Sequence, residues 1–488
     1  MKSLARSSPS AQGVSARGIG DYLDALERAG IEMHSLMVLR HGEVVAQGWW
    51  APYSPERRHL VYSLSKSFTS MAAGIAWGEG AFDLEDSVAE LLGDLLPEDV
   101  DERFRRLRVR HALSMATGHE HDTIDLGWRR AIAAAAPGGA GQNTGLDLVR
   151  AFFTIAPERE PGTLFAYNQL ATHTVARIVE RHAGTRLLDY LRPRLFEPLS
   201  IPEPAWLGVN GHDFGYSGLH THTEAVAKLG QLLLQGGRWE GAQLVPAEWI
   251  AQAIRLQQRN DPPEFTADPE LGGTPDWRLG YGFQFWISQH GVRGDGAYGQ
   301  FCLVWPQEDV VVATTACTSQ MGLQLELAYR HLLPAVRGEG GVEAAADAEF
   351  VERLSVLAVP LPRDTGAGVA GAFEREPGEV GHGAAPALTR VELTPRDTGW
   401  DARLTIGDVV GELPIGRGQW LEGAWPVAGV PFVCAGGCLA DGDFEAHLRM
   451  IETPHHLVLM ADRGAGTFTV RWNEPPLHGS DPAAHSLT

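Results

Sequence analysis

Leu60-Val61-Tyr62-Ser63-Leu64-Ser65-Lys66-Ser67-Phe68-Thr69-Ser70-Met71-Ala72-Ala73-Gly74 is the stretch on which the reading of this chain turns. The run is apolar-rich and predicts a helix that begins near Ser63 and stops at Gly78-Glu79-Gly80, glycine after the last turn being a common terminator. Three positions apart on such a helix, Ser63 and Lys66 share a face, and the amine can meet the hydroxyl. Lys66 also stands out against the composition. Lys2, Lys66 and Lys228 are the only lysines among 40 basic residues. Arginine cannot be deprotonated in a protein, whereas a desolvated lysine shifts its pKa readily. A lysine kept at this position is therefore expected to lose a proton. Free lysine titrates near ~10.4, so burial and the positive end of the helix dipole must bring it toward neutrality before it can act as a base.

Working outward, Ile19 to Arg28 reads as a helix, and the apolar runs Ser35 to Arg40 and Glu43 to Trp49 flank His41-Gly42 as a β-hairpin. From Asp86 to about Gly236 the pattern is mostly helical. It includes Val109 to Ala116 closed by Thr117-Gly118, and Leu170 to His182 closed by Ala183-Gly184. Strand patterns return at Tyr281 to Ile287, Gln300 to Trp305 and Val310 to Ala316, followed by a helix from Met321 to Leu333. Hairpin, helical middle, strands, helix is the order of an α+β domain over residues 1–335, with the helical part over about 86–236. Its antiparallel sheet is built from both ends of the domain and flanked by helices. Residues 336–387 read as a linker and short helix. Residues 388–474 alternate with period two and predict a C-terminal antiparallel β domain, a barrel or a sandwich. Residues 475–488 read as a flexible tail.

Two further segments carry chemistry. Pro161-Gly162-Thr163-Leu164-Phe165-Ala166-Tyr167-Asn168-Gln169 leads into a helix. A tyrosine there can present its phenol to a cleft and, held near Ser63 and Lys66, pass the serine proton to a leaving group. The competing reading is a half-buried loop tyrosine bonded to backbone. Gly294-Asp295-Gly296-Ala297-Tyr298-Gly299-Gln300 enters a strand, and its glycines let a sheet edge approach a substrate closely. An N–H from that edge, at Ala297, would join the N–H of Ser63 in a two-donor oxyanion hole. The competing reading is a plain glycine-rich connection.

Composition narrows the rest. At 488 residues, 44% hydrophobic and 21% charged, the chain is globular and long enough for more than one domain. A net charge of −21 disfavours nucleic acid and anionic lipid as partners. The first residues lack the apolar core of a signal peptide and no window resembles a membrane span, so a cytoplasmic location is expected. Cys302, Cys317, Cys434 and Cys438 are too few and scattered for a disulfide framework. Cys434-x-x-x-Cys438 has no second ligand pair, and His111, His119, His121, His220 and His222 show no metal-ligand spacing, so no cofactor is expected.

The order Ser63-x-x-Lys66, Tyr167-x-Gln169, glycine-rich strand edge resembles the class C β-lactamase and D,D-peptidase superfamily. Its esterase and amidase branches, the family VIII esterases and nylon-oligomer hydrolases, are the most similar. Gly80-x-Phe82-Asp83-Leu84-Glu85-Asp86-Ser87-Val88, Val109-Arg110-His111-Ala112-Leu113 and Ser217-Gly218-Leu219-His220-Thr221 look like this family too, and the resemblance spans roughly Gly13 to Pro334. It implies a β-lactamase/transpeptidase-like fold and a serine hydrolase with Ser63 as nucleophile, Lys66 as its base partner and Tyr167 as the relay. Asn168, Gln169, Asp295 and Gly296 would meet a small ester, amide or peptide-like substrate. Members with an appended β-barrel exist. Two departures stand out. The second motif is usually Tyr-x-Asn, but here Asn168 takes the middle place and Gln169 the third. The third motif is usually Lys-Thr-Gly or His-x-Gly, but here it is Gly294-Asp295-Gly296, without a cation for a substrate carboxylate; Arg293 and His290 stand nearby. Acyl transfer or peptide cyclisation, true β-lactamase or D,D-carboxypeptidase activity, and a non-catalytic binding protein remain the alternatives.

Overall fold

The apolar runs around His41-Gly42 form the hairpin expected of them. In the computed structural model, a long helix α1 (Ala16–Arg28) leads into β1 (Glu32–Arg40). The chain then turns through His41 and Gly42, at φ 52° and 78°, into β2 (Glu43–Trp49). Two successive left-handed residues suit the right-handed twist of the flanking strands. The structure describes residues 3–135, 145–260, 275–366, 368–376, 384–477, 479 and 481–487. Residues 136–144 of the expected helical part, 377–383 of the expected linker, and 478, 480 and 488 of the expected tail lie outside the described residues.

The sheet is completed from the far end of the domain by β3 (Trp286–Ser288), β4 (Gly291–Gly296), β5 (Gln300–Trp305) and β6 (Val310–Cys317). The order is β3-β4-β5-β6-β1-β2, and every neighbouring pair is antiparallel. β6 lies against β1 in the register Val38↔Val312, which joins the two ends of the domain. Strand alternation sends Met37 and Leu39 into one core and Leu36 and Val38 into another. Both faces of the sheet are thus covered by helices, which explains why β1 reads as continuous apolar sequence.

The quoted stretch forms a 3-10 turn, Tyr62–Leu64, that runs into α2 (Ser65–Gly78). Every residue of α2 from Ser65 to Ala76 is buried. A Cβ on Gly74 would fall 2.4 Å from a ring carbon of Trp249, so only glycine fits there. Of the other helices, α3 (Ile124–Ala135) and α4 (Gln169–Ala183) flank the site, and α5 (Thr223–Leu234) packs on β1, β5 and β6 of the sheet.

Tyr281 to Phe285 departs from the strand expected of it. Only Trp286–Ser288 pairs as a strand, because Gln284 takes a positive φ of 68° and turns toward the helical layer. Its amide nitrogen donates to the Leu113 carbonyl at 2.7 Å, its amide oxygen accepts from Thr172 at 2.7 Å, and its carbonyl accepts from Ser67 at 3.0 Å. Hydrogen bonds to three separate elements outweigh the β propensity of the aromatics around it.

After the helix Ala344–Ser355, the chain enters a closed eight-stranded barrel. Its strands begin at Gly371–Arg375, ahead of the expected start at Leu388, and end at Thr467–Trp472. Closure needs two parallel pairings, Gly371–Arg375 with Thr467–Trp472 and Val409–Arg417 with Pro431–Cys438, so the domain is not purely antiparallel. Cys434 and Cys438 both point into the barrel core. Within the stretch expected to be a flexible tail, Pro482–His485 forms a 3-10 turn with Pro482 and His485 buried. Among the described residues, no helix is long and apolar enough to cross a membrane.

Candidate active site

Ser63 sits half-buried in the turn that opens α2, one residue after Tyr62, whose φ is +48°. Lys66, one turn on, is only 1% exposed. Its Nζ donates to Ser63 Oγ at 3.1 Å, to Gln169 Oε1 at 2.5 Å and to the Tyr216 carbonyl at 2.8 Å. Burial brings the Lys66 ammonium down to about 7, with Asp122 and Asp295 pulling the other way. Two of the three partners are carbonyl oxygens, which can only accept. They take two N–H bonds and leave the third tetrahedral position of the nitrogen facing Ser63. In the neutral amine that position is a lone pair aimed at the serine hydroxyl.

Tyr167 completes the cluster from the loop ahead of α4. Its ring lies 4.7 Å from Lys66 Nζ and stacks at 5.4 Å on Trp286. Burial pushes the Tyr167 phenol up, and a hydrogen bond with Ser63 works against that rise. The group is therefore a neutral phenol, while Lys66 is poised between its two states.

Gln169 and Asn168 part company at the start of α4. Gln169 turns toward Lys66, and its side-chain carbonyl accepts from Nζ. Asn168 is fully buried, and its Oδ1 accepts from the Leu170 N–H at 3.0 Å and the Thr123 hydroxyl at 3.0 Å. That is an N-cap, so the expectation that Asn168 meets substrate is corrected: it holds the helix end that presents Tyr167 and Gln169. Asp122, which sequence reasoning missed, accepts from the Gln169 N–H at 3.0 Å and the Ile124 N–H at 3.1 Å. Tyr216 was missed as well, because it contributes through a backbone carbonyl that no side chain reveals.

At the third segment, Gly296 packs against the serine turn so closely that a Cβ would fall 2.1 Å from the Val61 carbonyl. The half-buried Ala297 follows at the strand end. Asp295 is buried and faces the cluster, and burial pushes its carboxyl up against the opposing pull of Arg293. Arg293 Nε donates to Asp295 at 2.9 Å and Nη1 to Ser288 at 2.7 Å; its guanidinium lies 3.8 Å from Asp276 and 4.6 Å above the Trp277 ring. Facing two carboxylates, Arg293 is not a spare cation. His290 packs edge-on against Tyr329 at 4.7 Å. Of the other histidines, His111 Nδ1 accepts from the Arg108 N–H, His119 bridges Thr117 and the Ile155 carbonyl, His220 and His222 bond the carbonyls of Gly218 and Glu56, and His121 is exposed.

Residues 22–333 match the family model described as beta-lactamase. A 6-aminohexanoate-dimer hydrolase of Paenarthrobacter ureafaciens is 26% identical over 290 residues, which are 57% of this chain and 71% of that protein. Of solved structures, "Putative 6-aminohexanoate-dimer hydrolase from Bacillus anthracis" matches with a TM-score of 0.50 at 20% identity, over 65% of this chain and 82% of that one. EstCE1, described as a hydrolase with promiscuous acyltransferase activity, matches with a TM-score of 0.51 at 18% identity, over 66% of this chain and 97% of that one. These two likenesses concern the fold.

Proposed function

The chain belongs to the beta-lactamase family, and we propose that it is a serine hydrolase that acylates Ser63 with a small ester or amide and then releases the acyl group to water. The observation that carries this reading is the Lys66 amine, buried, brought to about 7 and held by two acceptors so that its remaining position meets Ser63 Oγ. As Oγ bonds to the substrate carbonyl carbon, its proton passes to the Lys66 lone pair. The oxyanion that forms lies at the α2 N-terminus, toward the backbone N–H groups of Ser63 and Ala297. Collapse of this intermediate breaks the ester or amide bond, with Tyr167 giving its phenolic proton to the leaving oxygen or nitrogen and regaining one from the Lys66 ammonium. Water then attacks the acyl-enzyme with the same groups in reverse.

Uncharged acyl donors suit this cleft better than penicillins or peptides with a free carboxylate. Asp295 occupies the third segment, and the nearby Arg293 is already bonded to it. The relative from Paenarthrobacter ureafaciens is named for cleaving a dimer of an amino acid, which supports an amide as the bond cleaved; such a dimer keeps a carboxylate, so the preference for uncharged donors rests on Asp295 and Arg293 alone. The test is a panel of p-nitrophenyl esters, uncharged amides, D-amino-acid amides and nitrocefin, run against wild type and Ser63→Ala. Ser63-dependent cleavage of neutral esters or amides is expected. A protein that turns over none of them, or turns them over without Ser63, refutes the reading.

A further inference from the structure

The turn that carries Ser63 is gripped from the C-terminal barrel. The Leu60 N–H donates to the Glu452 carbonyl at 2.8 Å, and the Tyr62 hydroxyl meets His455 Nε2 at 2.5 Å. His455 Nδ1 lies 2.8 Å from the Glu474 carbonyl, an oxygen that can only accept. Nδ1 therefore carries the proton, and Nε2 is the acceptor for Tyr62 O–H. Burial brings the His455 imidazole down to about 3, which keeps it in this neutral tautomer. The Tyr62 oxygen also takes a backbone hydrogen bond from Leu477, just beyond the last barrel strand.

The same residues hold the other wall of the oxyanion site. Tyr298, which follows Ala297, packs edge-on against His455 at 4.8 Å and lies 5.3 Å from the Tyr62 ring. Its hydroxyl donates to the Pro475 carbonyl at 2.5 Å. Tyr62 and Tyr298 both have positive φ, +48° and +67°. For bulky side chains such a conformation persists only where the surroundings enforce it. Here the two strained residues sit next to the two N–H donors assigned to the oxyanion, and both are clamped to one barrel histidine.

We propose that His455 is a positioning residue of the catalytic site: through Tyr62 and Tyr298, the barrel fixes the nucleophile turn and the oxyanion strand end against each other. The inference rests on Ser63 being the nucleophile. It assigns the barrel a part in the chemistry although none of its side chains bonds Ser63 or Lys66 among the described residues. A misplacement of reacting groups of the order of an ångström can cost ~100-fold in rate, so loss of the clamp should slow acylation without much change in KM.

The experiment compares His455→Phe, which keeps a ring but no acceptor, His455→Gln, which keeps an acceptor, Tyr62→Phe, and the double variant His455→Phe/Tyr62→Phe. Covalent labelling rates with a fluorophosphonate, kcat and KM for p-nitrophenyl acetate, and thermal melts are read for each. His455→Phe and Tyr62→Phe are expected to lose about 10- to 100-fold in labelling rate and kcat, with KM within about threefold. The double variant should be no worse than either single one, since both remove one interaction. His455→Gln should restore most of the rate, and the midpoint of the pH profile should not move, because Lys66 is untouched. Labelling lost in Ser63→Ala but at the wild-type rate in folded Tyr62→Phe and His455→Phe overturns this inference alone. Labelling retained in Ser63→Ala overturns the functional reading with it. A melt that falls in step with activity in Tyr62→Phe would make the clamp a packing contact and overturn the proposal as well.

Discussion

Replacing Lys66 by arginine separates proton transfer from charge pairing. The structure places the Lys66 ammonium at about 7 because burial disfavours the charge, while Asp122 and Asp295 partly restore it. About half of the molecules then hold the neutral amine at pH 7, roughly a tenth at pH 6 and nine-tenths at pH 8. Because the free base is the active form, kcat/KM for a neutral ester should climb about tenfold per pH unit below 7 and level off above it. Arginine offers N–H donors to Ser63, Gln169 and Tyr216 but no lone pair, so turnover should fall by about 100- to 10,000-fold and the acid limb should vanish. Stability carries the same signature. Burial holds the folded pKa below the unfolded one, so the unfolded chain binds the extra proton between pH 7 and ~10.4, and stability rises with pH across that window. Lys66→Met should remove this part of the rise. The assay is p-nitrophenyl acetate hydrolysis from pH 5.5 to 9, with thermal melts in the same buffers. An arginine variant within a few-fold of wild type, or a wild-type profile flat through pH 7, would refute the assignment of Lys66 as base.

Tyr167→Phe keeps the ring on Trp286 but removes the acid; kcat should drop by about 100- to 10,000-fold with KM nearly unchanged, measured on an ester with a poor leaving group. Asp122→Asn preserves an acceptor for the Gln169 and Ile124 N–H groups while removing a charge that raises the Lys66 pKa. Its pH–rate midpoint should move to lower pH, and an unmoved or raised midpoint would show that Asp122 does not act on Lys66. An ester and its carboxylate-bearing analogue should differ in kcat/KM by at least about tenfold in favour of the neutral one, since a like charge held near Asp295 costs on the order of 1–4 kcal/mol. Preference for the anion would mean that Arg293 is released from Asp295 when substrate binds.

The hairpin at His41-Gly42, the buried helix after Ser63 and the meeting of Ser63 with Lys66 were legible because each is written in local patterns: turn residues, an apolar run, a three-residue spacing; Tyr167, far along the chain, was expected beside them from the family resemblance. What escaped depends on partners distant in sequence. Gln284 abandons its strand to bond three other elements, and the aromatics beside it give no hint of that. Asn168 and Gln169 are adjacent polar amides, and only the position of the α4 cap decides which of them turns to Lys66. Tyr216 acts through its carbonyl, which every residue possesses. The barrel strands alternate legibly, but the two parallel pairings that close them are not local. The tail looked frayed because its apolar residues are few, yet Pro475 and Leu477 bond Tyr298 and Tyr62 through backbone atoms, which composition does not record.

The central claim is that Ser63 is acylated. Intact-mass spectrometry after mixing with a fluorophosphonate or a slowly turned-over p-nitrophenyl ester, followed by peptide mapping, tests it most directly. A single adduct on the peptide containing Ser63, absent from Ser63→Ala and strongly slowed in Lys66→Arg, is the predicted result. An adduct on any other residue, or one that forms unchanged in Ser63→Ala, would contradict it.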